Sequence, residues 1–225
     1  MTLLHLHATV GLPVALLGWL IFLPALVASA WALRRQFLPQ NVQQHAWLGA
    51  IVCVALLWLL HVKLGDDIYF GMLGAALFAL VFGRARAILG LGAALALHTW
   101  LTEGPWLNLG VNGLLLAVLP ALVATNLQRL LETRLPKNVF IFIIGNGMFV
   151  TLAVTALTSL LMLAASLPAA APTAALNFGD YATYSLMMAW AEAVVSGMIF
   201  SALVIFRPAI VLTYREETYL PRRSL

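Results

Sequence analysis

The chain alternates between long apolar stretches and short polar breaks. Seven apolar stretches can be drawn, at about 9–33, 45–62, 67–83, 86–102, 107–128, 138–166 and 181–206. A membrane-spanning helix needs about 20 apolar residues, with a range near 17–25. The stretches at 67–83 and 86–102 sit at the short limit, while 138–166 is long enough to tilt. Pro13 falls near the first turn of the first stretch, where its missing N–H costs little. The pattern predicts an all-α integral membrane protein, 1–225, forming one bundle of about seven transmembrane helices. Between His61 and Asn126 the chain is rich in Gly and Ala, which lets helix backbones approach closely in lipid.

Composition agrees. Of the 225 residues 63% are hydrophobic and 9% charged, against about 25% charged in a soluble domain. The net charge of +4 is no nucleic-acid footprint, because the basic residues sit in short loops. Cys53 is the only cysteine, so neither an intrachain disulfide nor a cysteine-based metal knuckle can form. Residues 10–27, followed by Ala28-Ser29-Ala30, resemble a secretory signal, but no Lys or Arg precedes them and Arg34-Arg35 follows. The first stretch is therefore expected to be retained as a helix.

Threading the chain through seven spans puts Arg34, Arg35, Arg84, Arg86, Arg129, Arg134, Lys137, Arg207, Arg215, Arg222 and Arg223 on one side and only Lys63 on the other. Positive charge marks the cytoplasmic face. The expectation is a multi-pass protein of the bacterial inner membrane, in contact with lipid, its N-terminus outside and its C-terminus cytoplasmic. The Ala/Pro-rich 167–180 segment is then an external crossover and 207–225 a cytoplasmic anchor.

In this arrangement His5, His7, His61 and His98 fall near the external face with Asp66, Asp67, Glu103 and Asp180, while His45 is cytoplasmic. Imidazole and carboxylate are ligands for divalent transition metals. His5, His7, His61, Asp67 and His98 are the candidate metal residues. The competing reading is that acids and histidines gather outside simply because Lys and Arg are kept inside. Glu192 lies inside the last span. It is either a gate or coupling residue or a structural hydrogen-bonding group, with Asn146 as a candidate partner. Asn112, Asn126 and Asn146 read as interhelical glue. Ala25/Ser29, Ala28/Ala32 and Gly90/Ala94 have small-xxx-small spacing. No HExxH, GxSxG or P-loop motif occurs, so the chain reads as a non-enzyme without intrinsic cofactor or ATPase.

Two blocks carry a family resemblance. Gly71-Met72-Leu73-Gly74-Ala75-Ala76-Leu77, followed by Phe82-Gly83, and Leu109-Gly110-Val111-Asn112-Gly113 resemble the third helix and the fifth-helix start of the CbiM/NikM family. These are substrate-capture subunits of cobalt and nickel energy-coupling-factor (ECF) ABC transporters. The resemblance implies a permease role, with a transmembrane coupling subunit and cytoplasmic ATPases as partners. The family's metal-binding second-position histidine is Thr2 here, and its histidine near the third helix falls at Gly71. Asn112 alone carries over, so a metal site would have to be rebuilt from the candidates above. An accessory metal-binding or sensing protein remains an alternative. So does a permease for a small organic ligand bound between Trp100, Trp106 and Tyr69.

The topology is checked by a tag after Leu225. It is expected to resist external protease in intact cells and to be cut after permeabilisation; cleavage in intact cells contradicts the charge-based orientation.

Overall fold

A computed structural model describes residues 11–34, 41–64, 68–166 and 178–219 of the chain. Helix α1 (Leu12–Arg34) and helix α2 (Asn41–Leu59) lead into a hairpin of β1 (His61–Leu64) and β2 (Ile68–Gly71). Helix α3 (Ala75–Phe82) and helix α4 (Arg84–Leu101) follow. Helix α5 runs over Trp106–Arg134. Helix α6 joins Val139–Ile144, Gly145–Val150 and Thr151–Ser166, and helix α7 is Phe178–Phe206. A 3-10 turn (Pro208–Ile210) and the one-turn helix α8 (Glu216–Tyr219) close the described chain.

Among the described residues five helices, α1, α2, α5, α6 and α7, are long and apolar enough to cross a membrane. Their outward side chains are apolar too: Leu20, Val27, Met187, Met198 and Ile205 are all exposed. A helix bundle that is apolar inside and outside is built for lipid.

The third expected span is different. Residues 68–71 form a strand, and only the eight residues Ala75–Phe82 are helical. At 1.5 Å per residue α3 is about 12 Å long, against a hydrocarbon core of about 30 Å. The apolar run therefore corrects to half a hairpin, a loop and a short helix. The reasons are local. Gly74 has φ +66°, a left-handed conformation that a helix cannot continue through, and β2 pairs with β1 in the register His61↔Gly71, Val62↔Phe70. A short α3 survives because it is enclosed. Seven of its eight residues are buried, and α2, α4, α5, α6 and α7 all pack against it.

Glycine decides how α1 meets α5. A Cβ on Gly110 would lie 2.5 Å from the Trp19 backbone nitrogen, one on Gly18 2.6 Å from that of Val111, and one on Gly113 2.5 Å from the Phe22 ring. The two backbones touch, so the Leu109–Gly113 block is a packing motif. Among the expected small-residue sites, Gly90 sits against Phe78 and Trp47 in the same way. Gly18, absent from the expected set, makes the closer helix–helix approach.

Two helices contain π segments, Leu114–Val118 in α5 and Gly145–Val150 in α6. In α5 the cause is Pro120, which lacks an N–H and whose ring crowds the carbonyl of Leu116.

Gly110→Ala is expected to cost about 1–3 kcal/mol through overpacking, seen as a lower unfolding midpoint in detergent. Gly49→Ala, where a new Cβ meets nothing within 4 Å, should be neutral or stabilising. Equal effects would contradict the backbone-contact account of α1 and α5.

Candidate functional site

The break before α3 leaves backbone groups deep in the bundle. The first N–H groups of any helix have no partner within it, and lipid supplies none. Here Glu192 supplies the acceptors. It is the middle residue of the 29-residue α7 and only 1% exposed. Its Oε2 accepts from Leu73 N at 2.8 Å and its Oε1 from Gly74 N at 2.9 Å. Thr155 Oγ1 on α6 donates to Oε1 at 3.3 Å. Gly74, the residue preceding α3, has no side chain of its own to offer, and a carboxylate from another helix holds its amide and that of Leu73 just before the helix begins. The positive end of the helix dipole favours a negative group at this position.

The same loop is gripped from its other side. Trp58 Nε1 of α2 donates to Leu73 O at 2.8 Å. The Trp58 ring lies 6.3 Å from that of His98, centroid to centroid. Both side chains are fully buried. A continuous path therefore runs from Glu192 through Leu73 to Trp58 and His98, joining α7, the hairpin exit, α2 and α4. Around Glu192, α6 presents Thr151, Thr155, Thr158 and Ser159, and α7 presents Ser185 and Ser196, all buried. At spacings of three and four these form one face of α6. This polar seam follows the α6–α7 contact.

Of the candidate metal residues, His5, His7 and Asp67 lie outside the described residues. His61 opens β1 and pairs with Gly71, two positions from the clamped Leu73. His98 lies behind the clamp, against Trp58. Among the described residues no three His, Cys, Asp or Glu side chains come together. Asn112 is buried in α5 beside the α1 contact, and its Oδ1 has no hydrogen-bond partner among the described residues. Asn146 does not partner Glu192. It sits in the π segment of α6, its Oδ1 likewise without a partner among the described residues. Asn126 is glue of another kind: at the Arg-bearing end of the bundle it accepts from Arg84 and joins α5 to α4. Trp100 and Trp106 flank an open cavity of about 510 Å³ with Glu103 at its turn.

Leu73 and Trp58 were not legible as site residues. The available signal was Gly74 immediately after an apolar run, combined with an acid in the middle of a later span.

Comparison with known families matches residues 7–210 to the family model CbiM, described as "cobalt uptake substrate-specific transmembrane region". No curated protein matches the chain.

Leaving a buried donor unsatisfied costs about 1–3 kcal/mol. Glu192→Leu strands two, so it is expected to lose about 2–6 kcal/mol and to expose the Leu73 and Gly74 amides to hydrogen exchange. Glu192→Gln keeps one acceptor oxygen and should lose roughly half as much. Unchanged exchange at Leu73 and Gly74 in the Leu variant would show that the clamp is incidental.

Proposed function

The chain belongs to the CbiM family of cobalt uptake transmembrane regions, and on that footing we propose that it is the substrate-capture permease subunit of an ECF-type transporter. Its substrate is a divalent transition metal ion, cobalt or nickel, taken from outside. It transports rather than catalyses. ATP hydrolysis falls to cytoplasmic ATPase subunits, reached through a transmembrane coupling subunit, because the chain has no nucleotide motif of its own. The N-terminus is external and the C-terminus cytoplasmic, the seven helices α1–α7 lying in the bacterial inner membrane.

The observation that carries this reading is the family match along residues 7–210. The hairpin end supports it. His61 opens the hairpin, whose exit is held by Glu192 and Trp58, and the His98 ring lies against Trp58. A ligand set borne on this segment is positioned by the clamp, and ion binding can be felt at Glu192 through only a few bonded groups. His5 and His7 complete the candidate set from the N-terminal side, and Asn112 is the buried amide carried over from the family.

Calorimetry with Co²⁺ on the purified protein tests the reading. His7→Ala, His61→Ala and His98→Ala are each expected to weaken binding by at least about tenfold, equivalent to about 1.4 kcal/mol. His45→Ala is the control, since that ring bonds its own helix at Asn41 O, 2.7 Å away. Imidazole binds metal in its neutral form, so binding should weaken as pH falls through about 6.5. Equal behaviour of all four variants would remove the histidine site.

A further inference from the structure

The opposite end of the bundle carries a second feature, unrelated to metal capture. A cavity of about 570 Å³ opens where the first residue of α4, the last turns of α5, the α5–α6 connection and the 211–219 segment meet. Arg84, Arg129, Lys137 and Arg215 line it, with Glu132 as the one acid among its lining residues. Glu132 is occupied in part by Gln128, whose Nε2 donates to it at 3.1 Å.

Charge at this end is expected from topology alone. What topology does not explain is that the charges surround a built cavity. Arg84 Nε donates to Thr125 Oγ1 at 3.1 Å, and a terminal N–H donates to Asn126 Oδ1. Thr125 spends its own proton on Ala121 O at 2.8 Å, which fixes it as an acceptor for Arg84. Two of the five guanidinium donors thus set its plane. Arg84 is held there although partial burial, and then the charge of Arg129, disfavour its own charge. An anion between the two would relieve that repulsion.

The far wall is equally fixed. Leu212 N donates to Val81 O at 2.8 Å and Thr213 Oγ1 to Leu80 O, closing the carbonyl end of α3. Gln43 Nε2 of α2 donates to Ala209 O at 2.9 Å. Tyr219 stacks on Tyr214, centroids 5.7 Å apart, and packs on Phe142 at 4.6 Å. Burial, helped by Glu132 and Tyr214, pushes the Tyr219 phenol up to about 12. It keeps its proton at neutral pH and stays a hydrogen-bond donor.

We propose that this cavity is a site for a phosphate group, and that its occupant is the headgroup of an anionic phospholipid. Arginine pairs in this arrangement suit phosphate oxygens. Basic pockets between transmembrane helices at the cytoplasmic side take such headgroups. The choice of lipid over free phosphate rests on what adjoins the pocket. Lys137 in the cavity lining sits just before α6, whose first turns present Phe140 at 71% exposure and Ile144 at 50%, apolar surface available to the acyl chains of a lipid.

Native mass spectrometry of the full chain, released from detergent with phosphatidylglycerol or phosphatidylcholine, tests this. The wild type should retain phosphatidylglycerol at least about fivefold better, roughly 1 kcal/mol. Arg129→Gln/Lys137→Gln should lose the preference, as should Arg215→Gln on the other wall. These side chains are exposed, so the unfolding midpoint should not move. Arg134→Gln, at the same end but outside the cavity, should behave as wild type. Inorganic phosphate is then added against chloride at equal ionic strength. Failure to displace the lipid supports the lipid assignment, whereas displacement at micromolar phosphate would overturn it in favour of a free phosphate. Absence of a headgroup preference, or an equal loss in Arg134→Gln, would overturn the site itself and leave only a diffuse basic belt.

Discussion

A backbone that stops being helical at membrane depth must find hydrogen-bond partners inside the protein, because hydrocarbon offers none. This chain meets that demand at the 71–74 loop and the two ends of α3. Glu192 takes the Leu73 and Gly74 N–H groups, and Trp58 takes the Leu73 carbonyl. At the other end, Leu212 and Thr213 bond the carbonyls of Val81 and Leu80. The short helix is thus tied at both ends by segments more than a hundred residues away in sequence. Remove either tie and buried polar groups lose their partners, which costs more than the bonds themselves contribute.

Most of the remaining architecture follows from enclosing that helix. Five other helices surround it, and the outer ones must close in tightly enough to exclude lipid from its polar ends. The α1–α5 contact does so by placing backbone on backbone at Gly18 and Gly110, and the Phe22 ring on Gly113. The α6–α7 contact does so around a hydroxyl-rich seam with a carboxylate at its centre. A seam of this kind would be costly facing lipid. Between helices it is shielded from lipid, and Thr155 bonds Glu192 directly.

The clamp also separates the molecule into two chemically different ends. The hairpin end holds His61 and leads through Trp58 to His98. The basic end is closed by the docked 207–219 segment, which the sequence presented only as an anchor. α3 joins the two, with the Leu73–Gly74 entry to it on Glu192 and its last turn on the C-terminal wall.

The sequence by itself determined the solvent and the frame. The apolar runs at 9–33, 45–62, 107–128, 138–166 and 181–206 became long helices, since twenty apolar residues in lipid have no better way to satisfy their backbone. The segregation of Arg and Lys determined which helix ends share a face, because charge cannot rest in hydrocarbon. Glu192 was legible as unusual for the same reason. Its partners were not. Periodicity could not separate a short buried helix plus strand from a full span at 67–83, since both are runs of apolar residues. Asn146 was a chemically reasonable partner for Glu192, but proximity along two helices is decided by their packing and not by residue type. Only the tertiary structure brought residue 192 to residues 73 and 74, and residues 212 and 213 to 80 and 81. These contacts depend on how distant backbone groups left over at helix ends find acceptors, and the sequence does not state which groups those will be.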